Sequence, residues 1–159
     1  MLAIVWHSRT GAAQAMAMAA REGAVLAGGV TCTPAHEAQP DLMLAAAGYI
    51  FACPENLGTV SGEMKEFFDR CYYPLLGRIE GRAYATLTAA GSDGRGAVTQ
   101  IDRIVTGWRL RRVAPPVIVN LAAQTPEAIL TPKIISQADR EMCRDLGRSL
   151  CEGLALGIF

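Results

Sequence analysis

The sequence predicts an α/β fold: a doubly wound, five-stranded parallel sheet in the order 2-1-3-4-5, with helices on both faces. Three observations predict it. Short apolar runs rich in β-formers alternate with amphipathic runs of helical period. The central apolar runs show no in-out alternation, as befits strands covered on both faces. Polar, glycine-containing segments follow the first, third and fourth runs, and in this strand order all three open on one edge, at the switch point.

Leu2–Trp6 is the first strand, and the bend His7-Ser8-Arg9-Thr10-Gly11 turns it directly into a helix over Gly11–Arg21, dominated by Ala, Met and Gln. Ala27-Gly28-Gly29 is a turn, Val30–Pro34 a second strand and Asp41–Ala47 a short helix. Tyr49–Cys53 is a continuous apolar strand expected to stop at Pro54, followed by a polar loop over Pro54–Val60. Ser61 stands at an N-cap with Glu63 in the first turn. Met64, Phe67, Phe68 and Cys71 then recur at helical spacing, and Pro74 should end that helix near Tyr73. Tyr84–Ala89 is the fourth strand and Gly91–Gly96 a loop. Val98, Ile101, Val105 and Trp108 mark the next helix, and Pro116–Val119 the fifth strand. Asn120–Ile135 is a long connection with two prolines, a candidate subunit contact or active-site lid. In the last helix Ser136 and Asp139 have capping-box-like spacing, and Met142, Leu146, Leu150 and Leu154 are its expected buried face.

A chain of 159 residues suits one domain with a sizeable core, and neither repeats nor a linker divide it. Its 15 basic and 15 acidic residues balance to zero net charge. That argues against a nucleic-acid binder, which needs a basic excess, and against an acidic carrier that docks on basic partners. The longest apolar stretch, Leu42–Cys53, is far shorter than a membrane span, and Leu2–Trp6 is too brief for a signal peptide. The five cysteines include no C-x-x-C pair and lie in apolar segments, as buried thiols do; His7 and His36 lack metal-ligand spacing. These features lead to an expected cytoplasmic protein with no metal.

The chemistry concentrates in the three loops Ser8–Ala13, Pro54–Val60 and Ala90–Gly96. A strand that passes straight into a helix leaves the helix's first N–H groups facing the turn, where they favour an anion such as phosphate. Simple helix capping explains the first loop equally well on its own. Three polar loops on one edge favour a binding site. His7 closes its strand or reaches a bound phosphate, Cys53 reads as core, and Glu55 and Asp93 are either ligand contacts or solvated turn residues. Tyr72, Tyr73 and Trp108 fit helix packing or a subunit interface. No hydrolase triad, zinc-protease motif or P-loop is present.

Ser8-Arg9-Thr10-Gly11 resembles the phosphate-binding turn of flavodoxin-like proteins. Pro54-Glu55-Asn56-Leu57-Gly58-Thr59-Val60-Ser61-Gly62, leading into Met64–Arg70, is similar to the corresponding segment of NAD(P)H-dependent FMN reductases, and Gly91-Ser92 with the glycines after it looks like their third flavin loop. The resemblance implies a flavodoxin-like fold and an FMN whose phosphate lies at Ser8, Arg9, Thr10, Gly11, Ala12 and Ala13. Its ring would lie between Pro54, Glu55, Asn56, Leu57, Gly58 and Thr59 on one side and Gly91, Ser92, Asp93 and Gly94 on the other. NADPH or NADH would be the reductant and a quinone, a flavin or another small molecule the acceptor, with no nucleic-acid or membrane partner and a possible homo-oligomer. The chain departs from the family at Ala13, where a hydroxyl is common, leaving Arg9 or Gln14 to compensate. The loops also lack the aromatic pair that sandwiches the ring in electron carriers, which favours a reductase. The alternatives are an electron-transfer module dependent on a protein partner, and a fold relative that has lost flavin.

Overall fold

A computed structural model describes residues 1–159. Its elements, in chain order, begin with β1 (Leu2–Trp6), α1 (Ala12–Val25), β2 (Val30–Pro34), α2 (Pro40–Ala45), β3 (Gly48–Asn56) and β4 (Thr59–Val60). There follow α3 (Gly62–Leu75), β5 (Ala83–Ala90), α4 (Arg95–Gly107), β6 (Arg111–Arg112), β7 (Val117–Asn120), α5 (Pro126–Leu130) and α6 (Gln137–Ala155). The parallel sheet runs β2-β1-β3-β5, with β6 and β7 sharing the far edge of β5. With those two counted as one interrupted edge strand, the order is the expected one. The interruption falls at Pro115-Pro116, which bring no N–H to the ladder.

Alternate residues of the strands face opposite sides. On one side Leu2, Ile4, Ile50, Ala52, Ala85 and Leu87 pack beneath α1 and α6 in a core of small side chains. On the other side Ala3, Val5, Tyr49, Phe51 and Tyr84 pack beneath α3 and α4 in an aromatic core. There Phe68 lies 5.1 Å from Phe51 and 5.7 Å from Trp108, whose indole N–H donates to the Tyr72 carbonyl at 3.0 Å. The predicted stripes of α3 and α4 are all buried.

Several boundaries differ from the sequence reading. Pro54 does not stop β3. The Ala52 carbonyl accepts from His7 N–H on the β1 side, and the Pro54 nitrogen, two residues on, faces that same side where β1 has already ended. Its missing donor therefore breaks nothing, and β3 continues to Asn56. The stretch Pro54–Val60 is a β-hairpin rather than a loop: Glu55 and Asn56 pair antiparallel with Val60 and Thr59. Leu57 and Gly58, with φ of 53° and 75°, supply the positive-φ pair of a tight primed turn. Helix α3 takes Pro74 into its last turn, where one lost backbone bond is tolerable, and ends at Leu75. The loop before α4 is shorter than Gly91–Gly96, because the helix starts at Arg95. Helix α1 runs on to Val25, and the connection after β7 contains the short helix α5.

The buried face of α6 is also rotated. Cys143, Gly147, Leu150 and Cys151 point inward, Leu146 and Leu154 are half-buried, and Met142 is exposed. The cause is a close crossing with α1: a Cβ on Gly147 would fall on the Ala20 carbonyl, and one on Gly23 on the Arg144 carbonyl. Ser136 caps α6 as expected, accepting from Asp139 N–H at 3.1 Å. No helix is long and apolar enough to cross a membrane.

Candidate functional site

The carboxyl ends of β1, β3 and β5 deliver the three loops to one edge of the sheet, where they enclose a cleft of about 470 Å³. Ser8, Arg9, Thr10, Ala12 and Ala13 line it from the first loop, Pro54, Glu55, Asn56, Leu57 and Gly58 from the hairpin, and Gly91 and Ser92 from the third. Four predicted site residues stand off the lining. Gly11 is the N-cap of α1 at φ 100°, and Gly94 the N-cap of α4. Thr59 directs its hydroxyl at backbone carbonyls of the hairpin, and Asp93 faces Arg95 at 3.6 Å. Gln14 is exposed and outside the cleft, whereas Arg9 lines it.

The first loop has the donor set an anion requires. Gly11 N–H donates to Ser8 Oγ at 3.1 Å, which fixes the bend and leaves the Ser8 hydroxyl proton free to donate. The N–H groups of Ala12 and Ala13 lie in the first turn of α1, where no intrahelical acceptor exists. No acidic residue sits in that turn, so the positive end of the helix dipole is not neutralised. A phosphate fits this set by charge and by donor type.

The hairpin is held from below. Glu55 accepts from the backbone N–H groups of Gly94 and Ala97, both at 3.0 Å, so its carboxylate caps α4. Gln100 accepts from Val60 N–H at 2.8 Å. At the tip Leu57 is fully exposed. Behind the hairpin Ser61 holds the N-cap position of α3 without capping it; its hydroxyl meets His7 Nδ1 at 2.7 Å instead. His7 Nε2 lies 3.5 Å from Glu63, and burial lowers the imidazole pKa although Glu63 pulls it upward. His7 thus ties the root of the first loop to the start of α3. Burial also raises the Cys53 thiol to about 12, which makes it core rather than a redox group.

A fourth wall was not named residue by residue from the sequence. Ala89 and Ala90 floor the cleft, and Leu121, Ala123, Ile129, Leu130 and Lys133 close its far side. This wall comes from the long connection after β7, whose length was the available signal. Its residues are attached by backbone, Lys133 N–H donating to the Thr10 carbonyl at 2.7 Å, and at its root the Asn120 side chain donates to the Ser92 carbonyl. The Lys133 ammonium is spent on carbonyls at the end of α5. No aromatic side chain lines the cleft.

Three loops at the switch point of a doubly wound sheet, one of them opening on a helix start whose N–H groups suit an anion, define a flavodoxin-like protein. Residues 31–125 match the family described as NADPH-dependent FMN reductase. A flavodoxin of Aquifex aeolicus (strain VF5) is 30% identical over 96% of this chain and 86% of its own length. Among solved structures, a flavodoxin from the domain Archaea superposes with a TM-score of 0.78 at 18% identity, covering 98% of this chain and 99% of that one. The flavodoxin WrbA-like protein from Agrobacterium tumefaciens gives 0.77 at 18% identity over 98% and 97%. The chain belongs to the NADPH-dependent FMN reductase family and is a flavin-binding, flavodoxin-like oxidoreductase.

Proposed function

We propose that this protein is an FMN-dependent reductase that uses NADPH or NADH to reduce a quinone, a flavin or another small acceptor. The observation that carries the reading is the cleft's lining: three loops and an aliphatic far wall, with no aromatic ring to cover a bound cofactor. FMN, when bound, supplies acceptance of hydride from the nicotinamide and release of electrons to the acceptor. The chain's part is to hold and orient. Ser8 and Thr10 hydroxyls and the Ala12 and Ala13 N–H groups would bind the phosphate, with Arg9 nearby in place of the hydroxyl absent at Ala13. Backbone groups of Asn56, Leu57 and Gly58 would meet the ring from one side and Gly91 and Ser92 from the other. Thr59, Asp93 and Gly94 would serve by shaping the loops. No side chain is assigned as acid or base.

The test is spectroscopic. Purified protein titrated with FMN should show the absorption of bound flavin at micromolar concentration, and NADPH or NADH added without oxygen should bleach it. Absence of flavin binding at that concentration refutes the proposal and leaves a fold relative with another ligand. A second reading, an electron carrier served by a partner protein, is supported by the 30% identity to a flavodoxin. It predicts bleaching only when a separate reductase is added.

A further inference from the structure

On the other side of the hairpin lies a larger groove, about 730 Å³, between α3 and α4. Its walls carry Lys65, Tyr72, Arg95, Gln100 and Arg103, and Gly96 forms its upper end. The groove and the cleft are separated by one thickness of backbone: a Cβ on Gly96 would fall on the carbonyl oxygen of Gly58, which lines the cleft. Three cations face the groove against one carboxylate, Asp69. Lys65 pairs with Asp69 at 2.6 Å, and Arg95 reaches Asp93 at 3.6 Å outside the groove. Arg103 is exposed and makes no ion pair. The start of α4 is itself already capped by Glu55, so the side chains, not the helix end, give the groove its charge.

Arg95 and Arg103 stand eight residues apart on α4, a span of about 12 Å at 1.5 Å per residue. That places positive charge along a line leading away from the cleft, over a length comparable to the ADP half of a dinucleotide. A ligand anchored in the cleft by an uncharged ring and carrying phosphates on an extended arm would lay that arm over Gly58 and Gly96 into the groove. Guanidinium groups hold phosphate dianions through paired N–H donors, and Tyr72, stacked on Trp108 at 5.9 Å, lines the groove beside them.

We propose that the α3–α4 groove binds the phosphorylated adenosine arm of the reductant, with Arg103 engaging the 2′-phosphate that distinguishes NADPH from NADH. The proposal rests on the reductase reading for the nicotinamide's place in the cleft. It adds a binding site for the other half of the molecule and a residue to read its 2′-phosphate.

The test uses FMN-loaded protein and two measurements. Calorimetric titration should show 2′,5′-ADP binding more tightly than 5′-ADP, and Arg103→Ala or Arg103→Glu should remove the difference. In steady state, the ratio of kcat/KM for NADPH over NADH should fall by about tenfold or more in Arg103→Ala, the loss expected for one charge-assisted phosphate contact. An unchanged ratio with NADPH still oxidised overturns the groove assignment and leaves the reductase reading intact. If neither dinucleotide is oxidised, the reductase reading fails, while 2′,5′-ADP binding that depends on Arg103 still supports the groove as the site of this phosphorylated nucleoside. Equal affinity for 2′,5′-ADP and 5′-ADP overturns the proposal. So does a dimer, seen by sedimentation, that Arg103→Glu dissociates, because the groove would then be occupied by a second copy.

Discussion

Glu55 lines the cleft, yet both of its carboxylate oxygens are committed to the backbone of α4. A carboxylate that accepts two helix N–H groups stabilises like an N-cap, so Glu55→Ala should cost about 1–2 kcal/mol, read as a lower urea midpoint. Glu55→Gln keeps one acceptor and should lose less. His7 gives a pH dependence with a definite sign. Burial holds its folded pKa below the ordinary 6.5, against the opposing pull of Glu63. The unfolded chain therefore binds that proton more readily. The contribution to stability is complete above the unfolded value near 6.5 and is lost as pH falls through the lower folded one. Urea midpoints measured from pH 7 to pH 5 should fall more steeply for the native protein than for His7→Gln.

Among the elements, α3 and α4 were legible because large side chains recur on one face and bury against an aromatic core. Helix α6 was legible as a helix and misread as a face. Its seam with α1 runs through Gly147 and Gly23, and glycine contributes nothing to a hydropathy stripe even where it decides the approach of two backbones. Gly147→Ala should push the helices apart at a cost of about 1–3 kcal/mol, seen as a lower Tm. The hairpin was missed for a related reason. Pro54 is a sound stop signal in a strand flanked on both sides, but β1 ends before its nitrogen needs a partner. Leu57 in the first turn position hid a motif that Asn-Gly would have announced.

At the scale of the molecule, strand order placed all three loops on one edge, so most of the cleft could be read from the chain. Its fourth wall could be read only as a long connection, a candidate lid or subunit contact, and not residue by residue. Residues 121–133 join the cleft through backbone contacts, Lys133 N–H to the Thr10 carbonyl and Leu121 N–H to the Ala90 carbonyl at 2.8 Å, and backbone contacts leave no signature in residue type. The cleft draws on four separate parts of the chain, so a ligand bound there stabilises the whole fold. FMN at a hundred times its Kd should add about 2.7 kcal/mol and raise Tm by about 5–10 °C, measured by calorimetry with and without the flavin.

The Leu57 tip separates two tasks. A non-glycine residue at φ 53° carries backbone strain, and this one is fully exposed, so its side chain contributes nothing to the core. Leu57→Asn, which suits the first position of a primed turn, should raise stability by about 1 kcal/mol in thermal unfolding. The side chain at this position is therefore free of packing duty, and the positive φ of the turn alone limits which residues stand there, Gly and Asn most easily. Substitutions at position 57 should leave the scaffold intact, and a library at that position, read by thermal unfolding, would show which residues the turn accepts.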